Sequence, residues 1–577
     1  MVKINICVID DQYPKFQALL KGHFDLITEQ RKLDFTFNFV YCKELEPGKK
    51  EIKDNKSLDL IILDLLFKSK DGDVKSFELL KFIKENHPHL PVLLFSAAAS
   101  TADLQKAGFH EEYHPDGYVD KNESINKQPP DYQIIYNKVI DLLKRFGRIN
   151  TESGILITHG TDTMAWAFAI LRYGLFNLKT NVVLTGSQLP LEGAFSPSDA
   201  IGNMLTSVQL LNMLVPPNII QVFNDGIHIF NKNLVKVKKW SVDAFHGNSF
   251  GRIETEDLKI EEDEVYQVAE DKRTVLEKLF FIKTGGTIDS VKSETGLSSY
   301  DVNYTIEYLK NLKTSYFKEF ATIPINPKDS SYFNPRDWTK MLEAVKNTGL
   351  SDIDTRFDWN ILTVILSPFQ TNRLYDLFAE ELIKHYSGVI ILGYGAGNIN
   401  IIGSDKSAQT TKYAEDFEAN FGSSELSKQK EYSLVSFLEK IETYNKGGND
   451  YKFIVVNSQV PIDQYDIDYE AGRIPLFYGA LPSGDLSYPE AQTKLAFIIG
   501  HKQLIQAEAK KHKLTYEQIV KSCFLCGIRF NKKSNMKEFL RISENESGCR
   551  VVIHPKNVFV KGSFENGLSQ IIGLLKK

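Results

Sequence analysis

Cysteine is scarce in this sequence, with five residues scattered over 577 positions: Cys7, Cys42, Cys523, Cys526 and Cys549. So few cysteines cannot build a disulfide framework, and we expect a reducing compartment. No run of 18 apolar residues is present that could form a membrane-spanning helix. The short apolar run near the N-terminus ends at Asp10 and Asp11, which is unlike a signal peptide. We therefore expect a cytoplasmic protein without a membrane partner.

A large excess of charge of one sign is also missing, since the formal net charge is −5. Proteins that bind nucleic acid usually carry a basic surface, so nucleic acid is not an expected partner. The hydrophobic fraction of 42% and the charged fraction of 25% are ordinary for globular proteins. A chain of this length predicts two to four domains.

Residues 1–146 alternate between short apolar runs and segments with helical periodicity. The runs are Ile4–Ile9, Leu58–Leu63, Val92–Phe95 and Gly117–Val119, and the helical segments are Phe77–Ile83 and Tyr132–Phe146. Alternating strands and helices predict a parallel, doubly wound α/β sheet.

Each of these four strands is followed by polar residues, and parallel strands bring such residues to one edge of the sheet. Three carboxylates, one hydroxyl and one ammonium meet there: Asp10, Asp11, Asp64, Ser96 and Lys121. Clustered carboxylates are the ligands that a hard cation such as Mg²⁺ prefers. The sequence therefore predicts a Mg²⁺ site at this edge.

This arrangement resembles the receiver domain of two-component response regulators, over residues 1–148. The resemblance implies an aspartyl phosphorylation site served by a sensor histidine kinase. The matching positions are Asp64 for the phosphoacceptor, Asp10, Asp11 and Asp64 for Mg²⁺, Ser96 and Lys121 for the phosphoryl contacts, and Tyr118 for the switch aromatic. Two departures are extra residues after Asp71-Gly72 and Asn122 in place of the usual Pro. The alternative is a receiver-like fold that takes no phosphate.

Two further strand-like runs end in Thr-bearing motifs. Gly154–Ile157 leads into Thr-His-Gly-Thr-Asp-Thr, which ends at Thr163, and Phe280–Ile282 leads into the Thr-Gly-Gly-Thr-Ile segment Thr284–Ile288. Two glycines permit a sharp turn and close approach to a ligand, and Thr287 then offers a hydroxyl that a base can activate as a nucleophile. For either motif alone, a capped turn is an equally good interpretation.

The pair of motifs resembles the catalytic motifs of L-asparaginases of the bacterial cytosolic type, and the resemblance covers roughly residues 150–505. In that family the Gly-Gly-Thr motif comes first, whereas here it comes second. The resemblance therefore implies a circularly permuted asparaginase, with Ile253–Lys278 as the new connection. Permutation is tolerated where the original termini lie close together.

The family resemblance implies a role for each matching residue. Thr287 would be the nucleophile, Tyr300 its base or proton relay, and Lys236 a partner of Thr161 in proton transfer. Asp162 would bind the α-ammonium group of the substrate. The remaining substrate contacts would come from Ser330 and Ser331, at the family's Asp-Ser-Ser segment, and from Asn398 of a neighbouring subunit. Hydrolysis would require no cofactor, and the protein would be a homo-oligomer, a dimer or tetramer.

The predicted architecture is three-layer α/β/α throughout, with a flavodoxin-like receiver followed by a two-domain asparaginase-type fold. The predicted domains are residues 1–148 (receiver-like), 149–357 (asparaginase large domain), 358–505 (small domain) and 506–577 (an extension of unknown role). Asp405–Gly447 is an insertion or a solvated helix pair. Cys523 and Cys526 have zinc-like spacing, but buried thiols are the better interpretation without a second ligand pair.

The predicted activity is hydrolysis of L-asparagine to L-aspartate and ammonia. One alternative is a signalling module that binds asparagine without turnover. Another is hydrolysis of glutamine or another small amide, because one methylene in a pocket changes binding by only about 1–3 kcal/mol.

Overall fold

The computed structural model describes 27 segments of the chain. They are residues 2–10, 17–30, 35–64, 76–88, 90–97, 115–127, 130–146, 148–149, 153–191, 198–212, 217–224, 226–229, 234–238, 244–246, 251–254, 257–260, 275–293, 296–298, 303–313, 315–448, 450–460, 465, 467–529, 536–542, 551–554, 556–559 and 562–576. Within them, no helix has the length and apolar character needed to cross a membrane.

The first part of the chain builds a five-stranded parallel sheet in the order β2-β1-β3-β4-β5. Its elements are β1 Val2–Ile9, α1 Gln17–Gln30, β2 Phe35–Cys42, α2 Leu45–Asp54, β3 Leu60–Leu63, α3 Ser76–Asn86, β4 Val92–Ser96, β5 Gly117–Asp120 and α4 Tyr132–Arg145. This order is that of a doubly wound, flavodoxin-like sheet, whose ligand crevice lies at the carboxyl ends of the strands.

The strands of this sheet are apolar on both faces because both faces are covered. Cys7, Ile9 and Leu63 belong to one apolar cluster, while Ile6 and Val8 belong to another on the opposite face. Strands buried on both sides read as continuous apolar runs, which is why the sequence revealed them. The edge strand β2 was missed, although its alternating aromatic residues Phe35, Phe37, Phe39 and Tyr41 are a strand signal.

The second sheet has eight strands in the order β14-β13-β10-β9-β8-β6-β15-β18, and the five from β9 to β18 are parallel. Its region contains the following elements: β6 Ser153–Thr158, α5 Met164–Gly174, β7 Leu175–Phe176, β8 Val182–Thr185, α6 Asp199–Leu211, β9 Ile219–Phe223, β10 Gly226–Ile229, β11 Val235–Lys236, β12 Phe245–His246, β13 Gly251–Glu254, β14 Asp257–Ile260, β15 Leu276–Lys283, β16 Val291–Ser293, β17 Gly296–Ser298, α7 Tyr304–Leu312, β18 Phe317–Pro324, α8 Pro335–Lys346 and β19 Asp352–Ile353. The two predicted motif strands are therefore adjacent in this sheet, since β15 pairs with β6 along six residues.

The third sheet is parallel, in the order β20-β21-β22-β23. The elements here are β20 Ile361–Ile365, α9 Asn372–His385, β21 Gly388–Gly393, α10 Ala408–Phe421, α11 Ser423–Lys430, α12 Val435–Lys446, β22 Phe453–Ser458, α13 Glu470–Phe477, β23 Leu481–Pro482, α14 Tyr488–Gly500, α15 Lys502–His512, α16 Tyr516–Leu525 and α17 Phe564–Lys576. Together the three sheets confirm the predicted α/β class with parallel sheets. Within Asp405–Gly447, α10 and α11 are largely solvent-exposed, whereas α12 packs into the core.

The last helices are part of the core of the third sheet. Cys523, Cys526, Phe564 and Leu568 are buried in the same apolar cluster as the strands β20 to β22. The cysteines are thus buried thiols, and Cys526 Sγ lies 2.9 Å from the carbonyl oxygen of Lys556.

A buried ionic cluster holds this extension in position. His501 Nε2 lies 2.8 Å from a carboxylate oxygen of Asp354, and Nδ1 lies 2.7 Å from the carbonyl oxygen of Phe497. Asp354 also accepts two hydrogen bonds from the guanidinium of Arg356, which pairs with Glu565 of α17. Burial acts to raise the pKa of Asp354, but the hydrogen bonds from His501 and Arg356 outweigh it and hold that pKa well below its ordinary value.

Replacing Asp354 by Ala should destabilise the protein by about 3–5 kcal/mol, because His501 and Arg356 lose a buried anionic partner. Urea unfolding measures this change, and Glu380→Ala, from an exposed pair with Lys384, serves as the near-neutral control. Since the pKa is lower in the folded state, the Asp354 contribution is present above the unfolded pKa of about 4 and is lost as the pH falls below it. An Asp354→Asn variant with the same stability and the same acid slope as wild type would contradict this account.

Candidate functional site

The predicted catalytic motifs converge at the carboxyl edge of the second sheet. Thr158, the last residue of β6, is paired with Lys283 of β15 and with Thr185 of β8. The segments that follow these residues therefore leave the sheet side by side. Thr161 and Asp162 follow β6, and the 3-10 turn Thr287–Asp289 follows β15.

Glycines allow these segments to touch backbone to backbone. Gly285 and Gly286 have φ angles of 91° and 95°, a region that favours glycine. A Cβ atom on Gly286 would lie 2.5 Å from Cα of Gly160, and one on Gly160 would lie 2.5 Å from Cβ of Ser330. No side chain fits at either position, so the segments carrying Thr287, Thr161 and Ser330 are held in direct contact.

Lys236 connects the hydroxyl and the carboxylate of the β6 motif. Its Nζ donates to Oγ1 of Thr161 at 2.8 Å and to Oδ1 of Asp162 at 2.7 Å. The lysine lies in the hairpin formed by β11 and β12, where it is paired with Phe245. Thr161 is buried, whereas Asp162 is exposed and available to a ligand.

His159 links the segment after β6 to the segment after β15, a role that the sequence did not reveal. Its Nδ1 lies 2.8 Å from Oγ1 of Thr284, and its Nε2 lies 3.1 Å from Oγ1 of Thr163. Thr163 also donates to the carbonyl oxygen of Ser330 at 3.1 Å. Burial lowers the pKa of His159 to about 3, so the ring is neutral at neutral pH. A neutral imidazole carries one N–H donor, so the ring donates a hydrogen bond to one of these two hydroxyls. The only sequence signal was the position of this residue inside the motif.

The two serines near this edge differ in their surroundings. Ser330 is buried against Gly160, at the start of a 3-10 turn, Ser330–Tyr332. Ser331 is exposed, and its hydroxyl donates to Asp329 at 2.7 Å. A substrate carboxylate would have to compete with Asp329 for the Ser331 hydroxyl.

The site roles of two further predicted residues, Tyr300 and Asn398, remain predictions. Tyr300 lies outside the described residues. Asn398 follows β21 in the third sheet, where it borders a cavity of about 460 Å³ together with Tyr413, Tyr469 and Glu470. The Oδ1 atom of Asn398 is buried, with no hydrogen-bond partner among the described residues.

The predicted polar residues of the first sheet also meet at its carboxyl edge. Lys121 Nζ lies 2.7 Å from Oδ2 of Asp10 and 2.6 Å from Oδ2 of Asp64, and all three side chains are almost fully buried. Ser96 is buried beside them, and the Tyr118 hydroxyl lies 3.4 Å from the Ser96 carbonyl oxygen. Asp11 lies outside the described residues. Two carboxylates therefore share the ammonium group of Lys121.

Asn122, which replaces the proline expected after Lys121, connects two loops of this pocket. Its Nδ2 donates to the carbonyl oxygen of Ala97 at 3.0 Å, and its backbone N–H donates to Asp120 at 2.7 Å. The loops that carry Ser96 and Lys121 are thereby joined without a proline.

Comparison with known proteins matches parts of the chain to one family model and to several relatives. The family model "Asparaginase, N-terminal" matches residues 99–266, less than a third of the chain. L-asparaginase of Thermococcus kodakarensis is 31% identical over 163 residues, which cover 27% of this chain and 46% of that protein. A 60 kDa lysophospholipase of Mus musculus is 35% identical over 79 residues, 14% of each chain. The matches thus span less than half the length of these relatives.

Among solved structures, the thermostable L-asparaginase from Thermococcus kodakarensis aligns with a TM-score of 0.37 and 18% identity. The alignment covers 85% of this chain and 99% of that one.

Replacing His159 by Leu should destabilise the protein by about 1–3 kcal/mol, because the Thr284 and Thr163 hydroxyls lose a buried partner. In the unfolded chain, the His159 ring has its ordinary pKa of 6.5 and binds a proton below that pH. In the folded protein its pKa is about 3, so the ring stays neutral until the pH falls to about 3. Wild-type stability should therefore rise with pH across this window, by up to about 1.4 kcal/mol per pH unit, and the variant should have a flatter profile. The exposed His385→Leu is the control for urea unfolding at several pH values. Identical pH slopes in wild type and His159→Leu would refute the neutral, buried ring.

Proposed function

We propose that the protein is an asparaginase-type amidohydrolase that converts L-asparagine to L-aspartate and ammonia. The observation that carries this proposal is the contact of Gly286, next to Thr287, with Gly160, next to Thr161, where Lys236 bonds to both Thr161 and Asp162. The similarity of residues 99–266 to asparaginase N-terminal domains supports it.

In the proposed reaction, the Thr287 hydroxyl attacks the side-chain carbonyl carbon of the substrate and forms an ester as ammonia leaves. A base must take the hydroxyl proton, and Tyr300 is proposed for that task. Lys236, already bonded to Thr161, supplies a positive charge and a proton path next to the attack site. Backbone N–H groups at the strand ends stabilise the oxyanion, and water then hydrolyses the ester.

The α-ammonium and α-carboxylate groups of the substrate would be recognised by a charged residue and by two hydroxyl groups. Asp162 is exposed, so its carboxylate can bind the α-ammonium group in a charge-assisted hydrogen bond. Ser330 and Ser331 would bind the α-carboxylate. Asn398 would complete the site of a neighbouring subunit, and the active form would then be a homo-oligomer. The Oδ1 atom of Asn398, which has no hydrogen-bond partner among the described residues, supports this assignment.

We also propose that the amidohydrolase part is circularly permuted. The two motif strands β6 and β15 are neighbours in the sheet, but the Gly-Gly-Thr strand comes more than one hundred residues later in the chain. The same sheet can form with its strands connected in a different order, provided that each connection is long enough to join the strand ends. The corresponding domains would be residues 149–357 and 358–505, after a receiver at 1–148.

For the first part of the chain we propose a phosphorylatable receiver that regulates the enzyme. Its support is the 2-1-3-4-5 strand order and the meeting of Asp10, Asp64, Ser96 and Lys121 at the carboxyl edge. The donor set suits Mg²⁺, since the carboxylates are hard oxygen ligands with an excess negative charge. Asp10, Asp11 and Asp64 would hold the ion, which would neutralise the incoming phosphoryl group. A sensor histidine kinase would be the phosphodonor.

Thr287→Ala should abolish ammonia release from asparagine, while Thr287→Ser should retain part of it, because only a hydroxyl at this position can attack.

Thr161→Ala and Lys236→Met should each lower kcat by about a hundredfold or more, as expected for two groups that transfer the same proton. Ammonia release from asparagine and glutamine by purified protein is the measurement, with the exposed strand residue Thr322→Ala as control. Normal turnover in Thr287→Ala would remove this residue from the mechanism, and a wild type without turnover on either amide would favour a sensing module.

Wild-type protein should take up one beryllofluoride or acetyl-phosphate-derived phosphoryl group in the presence of Mg²⁺, and Asp64→Asn should take up none. The added charge should draw Lys121 and Ser96 into charge-assisted hydrogen bonds and change kcat or oligomeric mass. Asp25→Asn, on the exposed surface of α1, is the matched control. If the mimic binds but kinetics and mass distribution stay the same as in Asp64→Asn, phosphorylation does not control this enzyme.

A further inference from the structure

A buried ion pair lies behind the turn that carries Thr287, outside the proposed catalytic groups. Lys283 is the last residue of β15 and Asp289 is the last residue of the 3-10 turn, and both are almost completely buried. Lys283 Nζ lies 3.7 Å from Oδ2 of Asp289. Two buried charges cost free energy to desolvate, so their presence at this turn requires an explanation beyond packing.

Asp289 connects the turn to the start of helix α7. Its Oδ1 accepts the backbone N–H of Thr305 at 3.2 Å, and its two carboxylate oxygens lie 2.9 and 3.0 Å from the Thr305 hydroxyl. Asn303, at the N-cap position of α7, makes no capping hydrogen bond with its own side chain. The carboxylate of Asp289 therefore serves as the cap of α7 from a distant part of the chain, at a helix end that favours negative charge.

The same turn is fixed internally and on its apolar side. The backbone N–H of Asp289 and the hydroxyl of Ser290 both donate to the Gly286 carbonyl oxygen, at 3.2 and 3.1 Å. Ile288 is fully buried in the core of the second sheet, and its carbonyl oxygen accepts the N–H of Leu191 at 3.0 Å. Thr287 is the half-buried residue between these anchors, on the side where Gly286 meets Gly160.

We propose that Asp289 is a positioning residue for Thr287, with Lys283 as its counter-ion. The carboxylate locks the turn between the end of β15 and the start of α7, so that the Thr287 hydroxyl is held in one place relative to Thr161. The inference rests on the proposed function, in which Thr287 is the nucleophile. Displacement of a reacting atom by about 1 Å can cost on the order of a hundredfold in rate, so a rigid turn has a direct catalytic value.

The test compares steady-state kinetics of asparagine hydrolysis in wild type, Asp289→Asn and Thr305→Val. Asp289→Asn keeps the size of the side chain but removes its charge, and Thr305→Val removes the hydroxyl without changing any charge. We expect kcat to fall about ten- to a hundredfold in Asp289→Asn and by a smaller factor in Thr305→Val, with KM within about twofold of wild type. Thr305→Val decides the outcome if Asp289→Asn does not fold.

The control is Glu277→Gln. Glu277 lies on the same strand as Lys283, β15, and forms an exposed ion pair with Lys318 of β18, which this substitution removes. It should leave both kcat and the unfolding midpoint unchanged. If Asp289 has a purely structural role, Asp289→Asn will unfold at a lower temperature, but its kcat will be normal when measured well below the unfolding midpoint. That result overturns the proposal. A wild type that hydrolyses neither asparagine nor glutamine refutes the proposed function itself, and with it the catalytic meaning of the turn.

Discussion

The candidate site depends on contacts that only glycine permits. Gly286 touches Gly160, and Gly160 touches Ser330, at distances where a Cβ atom would collide with a neighbouring backbone or side chain. These contacts place three chain segments together, each leaving a different part of the second sheet or its loops. If any of them were pushed apart, the Thr287 hydroxyl and the Lys236–Thr161 pair would lose their common location. Catalysis by positioning requires this kind of close approach.

Around these contacts, buried polar groups fix the segments in place. His159 contacts Thr284 and Thr163, and Asp289 contacts Thr305 at the start of α7. A buried polar group without a partner is costly, so such networks favour one arrangement over alternatives. The residues proposed to bind the substrate have the opposite character, because Asp162 and Ser331 are exposed to solvent.

The first sheet has apolar clusters of its own, which include Ile149 but no residue after it. The clusters of the second and third sheets begin at Ile155. Among the described residues, no apolar cluster joins the first sheet to the other two. Regulation of the kind proposed above would therefore have to act through α4 and the short segment that leads to β6, or through the packing of subunits.

The sequence by itself determined the α/β class, most of the parallel strands, and the residues at their carboxyl ends, because doubly buried strands are apolar runs and parallel strands end at one edge. It also brought Asp10, Asp64 and Lys121 together, and it placed Thr161 and Thr287 just after the ends of two strands, whose pairing only the structure revealed. Only the tertiary structure revealed the part played by His159, Lys283 and Asp289. His159 contacts Thr284, which lies 125 positions later in the chain, and Asp289 contacts Thr305, which lies 16 positions later. A lone buried histidine or a buried ion pair carries no periodic signal in the sequence. Side-chain hydrogen bonds between distant segments are decided by how sheets and helices pack, and local sequence patterns do not record that packing.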